Sequence, residues 1–127
     1  MCSLTLKPRC TQTFISCSED NRALLWDTRN LEKPAYRISH NFNGFPSASA
    51  WSKLDTNLIA LGSETGQLCI FDIRNMKPNQ SVASVKSNSR LIRRVDFNTT
   101  SNLVATAAED CKTQVYKLTT DLNLEKM

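Results

Sequence analysis

Three stretches of this chain share one layout at one spacing, and that periodicity limits what the chain can fold into more than any single motif does. Residues 16–29 read SCSEDNRALLWDTR, residues 61–74 read LGSETGQLCIFDIR, and residues 106–118 read TAAEDCKTQVYKL. In each, an apolar run ends in a turn of acidic, amide, threonine or glycine residues, and a second apolar run follows. Glu19, Asp20 and Asn21 make the first turn, Glu64, Thr65 and Gly66 the second, and Glu109 with Asp110 the third. The second run closes on an aromatic, at Trp26, Phe71 and Tyr116, each 45 residues from the next. Aspartates follow the first two, at Asp27 and Asp72.

A repeat of about 40–45 residues has room for four short antiparallel strands, the content of one propeller blade. The expected fold is therefore all-β, a partial propeller of about three four-stranded antiparallel blades near residues 1–39, 47–85 and 91–125. Strands are expected at 2–8, 13–18, 22–28 and 34–39, at 47–51, 57–62, 67–73 and 80–85, and at 91–97, 102–107, 112–118 and 120–125, with Leu6, Trp51 and Phe97 in register. Residues 40–46 (HNFNGFP) and Asn88-Ser89-Arg90 read as crossings between blades, and Asn75 to Asn79 as an outer turn. The middle strands are apolar on both faces: LIAL at 58–61, LVA at 103–105 and ALLW at 23–26 do not alternate as a sheet with one wet face would. Such sheets need cover on both sides. Three blades alone would leave two open apolar faces beyond the few hundred Å² a soluble monomer tolerates, so further blades or a partner are expected to cover them.

The formal charge of +4 over 127 residues is too mild to call for nucleic acid unless Lys and Arg gather on one face. Arg90, Arg93 and Arg94 form the one tight basic cluster. Five cysteines (Cys2, Cys10, Cys17, Cys69, Cys111) are an odd number without the spacing of a zinc knuckle. Cys17, Cys69 and Cys111 fall in or beside expected strands, where a free thiol packs as a small hydrophobe. This usage points to a reducing compartment. No apolar run reaches the length of a membrane span, and MCSLTLKPR lacks a signal peptide's apolar core, so the expected location is cytoplasm and nucleus. The residues point to no catalytic, cofactor or metal site. The single histidine, His40, has no nucleophile to serve. There is no glycine-rich phosphate loop, and no carboxylate pair is set for acid/base work. Asn98-Thr99-Thr100 forms a glycosylation sequon, which is irrelevant inside a cell.

With these residues the chain resembles the WD-repeat family, Trp26-Asp27 standing as the family's dipeptide and Phe71-Asp72 as a degenerate form of it. Within that family, FISCSEDNRALLWDTR with Lys33-Pro34, then GSETG, then AEDC, in that order, is similar to the later blades of methylosome WD-repeat subunits. The signature positions are then Asp20, Trp26, Asp27, Phe71, Asp72, Asp110 and Tyr116. The resemblance implies a non-catalytic scaffold that presents histone or Sm protein tails to a protein arginine methyltransferase 5-like enzyme, which performs the methylation. In that family the enzyme is gripped largely by earlier blades, which have no counterpart here.

The family likeness also frames the remaining residues. WD-type turns share a top rim with the crossings between blades, so Glu19, Glu64 and Glu109 would form an acidic arc able to receive a Lys/Arg-rich tail, or a merely solvated rim. Asp20 and Asp110 are expected to hold their turns by accepting backbone N–H bonds. The family keeps a histidine that ties the turn aspartate to a serine or threonine and the tryptophan. His40 stands where that histidine would serve the second turn, but the acid there is replaced by Thr65, leaving the tetrad incomplete. Trp26-Asp27-Thr28-Arg29 and Phe71-Asp72-Ile73-Arg74 share the pattern aromatic, Asp, x, Arg. That pattern caps a strand end, and through Arg29 and Arg74 it also resembles the docking box of cullin ubiquitin ligase substrate receptors, the alternative reading. A histone-binding WD chaperone shares the WDTR wording but has a long amino-terminal helix for which no counterpart is expected here.

Overall fold

The computed structural model describes residues 3–8, 12–20, 22–38, 44–74, 81–119 and 123–127, and every regular element among them is a β-strand. The first sheet holds β1 (Ser3–Leu6), β2 (Thr13–Ser18), β3 (Arg22–Asp27) and β4 (Tyr36–Ile38). The second holds β5 (Pro46–Trp51), β6 (Leu58–Ser63), β7 (Gln67–Asp72) and β8 (Ala83–Lys86), and the third β9 (Ile92–Phe97), β10 (Leu103–Ala108), β11 (Thr113–Leu118) and β12 (Leu124–Lys126). Each quartet pairs antiparallel in chain order, giving three separate four-stranded meanders. The outer strands β8 and β12 start later than their periodicity suggests. Pairing sets their extent: Ile70 faces Ala83, and Leu118 faces Leu124. His40, most of the 40–46 crossing, the turn at Asn75 to Asn79, Cys2 and Cys10 lie outside the described residues.

The 45-residue spacing becomes a repeated cross-strand pair. Phe14 faces Trp26, Ile59 faces Phe71, and Val104 faces Tyr116. A β-bulge recurs as well, where the ladder steps past Ser47 between β5 and β6 and past Arg93 between β9 and β10. An extra residue at such a site re-aims its side chain. Ser47 turns its hydroxyl onto the carbonyl of Ile92 at 2.6 Å, tying the second sheet to the third. The first and second sheets are joined by Thr5, whose Oγ1 lies 3.1 Å from the Ser49 carbonyl and 2.6 Å from its hydroxyl.

The second sheet is covered on both faces, which explains why its strands fail to alternate. Every residue of β6 is buried. One face, with Trp51, Ile59, Leu61, Cys69 and Phe71, packs on Ile15, Cys17, Ala23 and Ile38 of the first sheet. The other, with Ala48, Ala50, Leu58, Ala60, Leu68 and Ile70, packs on Ile92, Val95, Phe97, Val104, Tyr116 and Leu118 of the third. At roughly 1.5–3 kcal/mol for each large side chain fully removed from water, these two layers supply most of the drive for stacking.

The three repeat aromatics do not share one environment. Phe71 and Tyr116 are 2% and 3% exposed. Trp26 is only half-buried: it stacks on Phe14 with ring centroids 6.2 Å apart and gives its indole N–H to Ser16 Oγ at 2.9 Å. Phe71 and Tyr116 each face the preceding sheet, and Trp26 holds the matching place on the face of the first sheet that has no sheet before it. Leu6, in the same cross-strand row, is 64% exposed and Leu4 is 51% exposed. One of the two expected open apolar faces lies on this side.

At Gly62 of β6 the second sheet lies close against Ile92 of the third. A Cβ there would stand 2.7 Å from Ile92 Cγ2 and 2.9 Å from Ile92 Cβ. Gly62→Ala should therefore push the sheets apart and cost about 1–3 kcal/mol, read as a lower urea midpoint at unchanged slope. An unaltered midpoint would mean the contact is slack.

Candidate functional site

The β10–β11 turn is tied into the preceding crossing. Asp110 accepts the backbone N–H of Ser89 at 2.9 Å and of Lys112 at 3.0 Å, together with Asn88 Nδ2 at 3.2 Å and Ser89 Oγ at 3.3 Å. These donors, the Ser89 N–H foremost, hold its carboxyl below the usual carboxylate range. Beneath the carboxyl the network continues inward: Thr106 Oγ1 donates to Asn88 Oδ1 at 2.8 Å, and Ser87 Oγ lies 2.8 Å from that hydroxyl. Asn88 Nδ2 also donates to the Lys112 carbonyl at 3.2 Å. Ser87, Asn88 and Thr106 are all buried. Each is satisfied by the others, as buried polar groups must be.

In the third sheet Asn88 thus holds the bridging place that the family likeness gives to a histidine. His40, set against the second turn where the tetrad is incomplete, is the one bridging residue the pattern suggests, and nothing in it points to Ser87, Asn88 and Thr106 as a unit. A signal is present for Thr106 alone, which stands at the repeat position of Ser16, the residue that accepts the Trp26 indole N–H. Among the described residues the second sheet has no such network. Leu61, fully buried, takes the Thr106 position, and Thr65 takes that of Asp110. Ser63 Oγ instead accepts the Gln67 N–H at 3.0 Å and lies 3.2 Å from Thr65 Oγ1. Gly66, at φ +90°, turns its carbonyl to the N–H groups of Ser87 and Asn88 at 2.9 and 3.0 Å. Its counterpart in the third turn is Cys111, at φ +64° and exposed. Cys111 therefore sits in the turn, unlike Cys17 and the strongly buried Cys69, whose thiol burial pushes up to about 11. Asp20 in the first turn lies 3.7 Å from Arg22 Nε.

The three glutamates occupy equivalent turns but not equivalent states. Glu19 and Glu64 are exposed, whereas Glu109 is half-buried and ion-paired with Arg93 Nη2. That pair also takes Arg93 out of the basic cluster.

Both aromatic-Asp-x-Arg boxes close on themselves. Arg29 donates its backbone N–H and its Nε to Asp27 Oδ1, both at 3.0 Å, and its Nη2 to Oδ2. Arg74 repeats the arrangement on Asp72 at 2.9, 3.1 and 2.8 Å. These forks, led by the guanidinium side chain in each case, lower Asp27 to about 2 and depress Asp72 in the same direction. Each box is a local cap on the end of β3 or β7. In the third sheet Lys117 follows the aromatic, so the fork has no third copy. Among the described residues no three His, Cys, Asp or Glu gather to hold a metal ion. The chemistry on offer is recognition by charge and hydrogen bonding.

The WD domain, G-beta repeat family matches residues 79–117, which run from β8 into β11 and contain the Asn88, Thr106 and Asp110 network. The chain is built from WD repeats. Over 103 residues, 80% of its length, this WD-repeat chain is 33% identical to methylosome protein WDR77 of Xenopus laevis, and it spans 30% of that relative. It is 38% and 36% identical over 61 residues to the transcriptional modulators WTM2 and WTM1 of Saccharomyces cerevisiae, covering 48% of this chain and 13% and 14% of theirs. In the crystal structure of the mitotic checkpoint complex, one chain superposes with a TM-score of 0.84 at 21% identity, over 99% of this chain and 37% of its own length. That likeness shows the fold.

Asn88→Ala would leave the Thr106 hydroxyl and the Lys112 carbonyl short of a partner, and is expected to cost about 1–3 kcal/mol; Ser89→Ala, which removes one exposed donor, should cost less than half as much in the same thermal unfolding assay. The pH dependence follows from the carboxyl. Because the Asp110 pKa is depressed in the fold, its stabilisation is present above the unfolded value of about 3.9 and is lost as pH falls through the lower folded value. Urea midpoints of Asp110→Asn should accordingly fall less steeply than those of the parent chain as pH drops below about 4. Parallel curves would contradict this.

Proposed function

We propose that this chain is a non-catalytic scaffold of the methylosome-subunit type, presenting histone or Sm protein tails to a protein arginine methyltransferase 5-like enzyme in the cytoplasm and nucleus. The observation that carries the reading is the 33% identity over 80% of the chain to methylosome protein WDR77. A stack of sheets locked by two buried apolar layers suits a scaffold, because its rims keep a fixed geometry while partners come and go. Glu19 and Glu64 are exposed in equivalent turns, and their charge is complementary to Lys/Arg-rich tails. Arg29 and Arg74 spend their forks on Asp27 and Asp72, which favours capping over a cullin docking box.

Purified chain titrated into such a methyltransferase with a histone-tail peptide should bind the enzyme and raise the methylation rate, with no methyl transfer by the chain alone. Unchanged rates together with no binding would overturn the scaffold reading, and transfer by the isolated chain would overturn its non-catalytic part. Glu19→Gln with Glu64→Gln should weaken the peptide about fivefold and flatten its salt dependence. Glu109→Gln should do less, since that carboxylate already serves Arg93.

A further inference from the structure

β1, β5 and β9 are each the edge strand of their own sheet, and they stand side by side. Along them runs a cleft of about 550 Å³ whose lining includes Lys7, Ser49, Trp51, Lys53, Arg94 and Asp96. Arg93 also reaches it but is held by Glu109. That leaves Lys7, Lys53 and Arg94 against the single acid Asp96, a sharper imbalance than the chain's overall 16 basic to 12 acidic residues. Lys7 is set in place: its Nζ lies 5.8 Å from the ring centroid of Trp51, which is itself fixed by an indole N–H bond to the Thr56 carbonyl at 2.7 Å.

The strand register shows where these charges fall. Leu6, Trp51 and Phe97 are equivalent, so Arg94 lies three positions before the common level and Lys7 one after it. At ~3.3 Å per residue the two cations are offset by roughly 13 Å along the strand direction, and they stand on different sheets with β5 between them. Lys53 joins Lys7 at its end. An extended peptide places same-side residues roughly 7 Å apart, so carboxylates along one side of it can serve both ends of the cleft.

We infer that this cleft is a binding site for an extended acidic peptide segment, whose carboxylates reach Arg94 at one end and Lys7 with Lys53 at the other. The inference stands apart from the methyltransferase reading, which concerns basic tails at the turns. Nucleic acid fits the cleft less well. Trp51, the aromatic in its lining, is 4% exposed and offers no face on which a base could stack.

The test is fluorescence anisotropy of a fluorescein-labelled peptide of alternating Glu and Ser, titrated with the full chain at low and at physiological salt. Binding that weakens with salt is expected. Lys7→Gln, Lys53→Gln and Arg94→Gln together should weaken it about tenfold or more, and the single variants should fall part way, which keeps the result readable should the triple variant not fold. Arg37→Gln, Lys86→Gln and Lys117→Gln remove the same charge from exposed positions outside the cleft and should leave affinity within about twofold. The inference fails if the peptide does not bind, if the control set loses as much as the cleft set, or if a single-stranded oligonucleotide binds more tightly than the acidic peptide.

Discussion

Everything else in this molecule depends on a sheet that cannot exist alone. The second sheet has no face for water: β6 is buried from end to end, and β7 presents Leu68 and Ile70 to one neighbour and Cys69 and Phe71 to the other. A two-faced apolar sheet is stable only as the middle of a stack, so its composition requires flanking sheets and sets their spacing. Gly62 marks how closely they approach, since even a methyl group at that position would collide with Ile92. Inter-sheet hydroxyl bonds from Thr5 and Ser47 then fix the lateral position that apolar packing, being non-directional, leaves open.

The same repeat is tied off by three different polar solutions. The third sheet uses a buried chain from Ser87 through Thr106 and Asn88 to Asp110. The second replaces the hydroxyl with buried Leu61 and relies on a glycine turn, while the first pairs Trp26 with Ser16. The local demand is constant, a turn that must not fray and a strand end that must be capped, but the residues that meet it vary with what each sheet buries. The Asp-x-Arg forks at Asp27 and Asp72 belong to this economy of caps. They are built from neighbours in sequence, which is why they recur so closely.

Charge is distributed by region. Exposed acids stand in the β-turns, with Glu109 paired to Arg93, and Lys7, Lys53 and Arg94 line the cleft along the inner strands against Asp96. A mild net charge of +4 conceals this separation. Two surfaces of opposite sign on one stack suit the scaffold we propose, and the likeness to WD-repeat chains, with 33% identity to a methylosome subunit, is in keeping with it.

The all-β class, the three-fold repetition and the strands of each sheet were legible in the residues alone, because a 45-residue period and non-alternating apolar runs are properties of local pattern. The aromatic, Asp, x, Arg caps were legible for the same reason, their partners being two residues apart. What the chain order could not reveal was set by contacts between sheets. The half-burial of Trp26 depends on which side of the first sheet has a neighbour. Asn88 replaces a histidine as the bridge to Asp110 through a contact 22 residues long, Arg93 is withdrawn by Glu109 across the β9–β10 pair, and Lys7, Lys53 and Arg94 come to line one cleft only where three inner strands stand side by side. Local pattern decides which strands form; the burial and charge of a given side chain depend on what the stack places beside it.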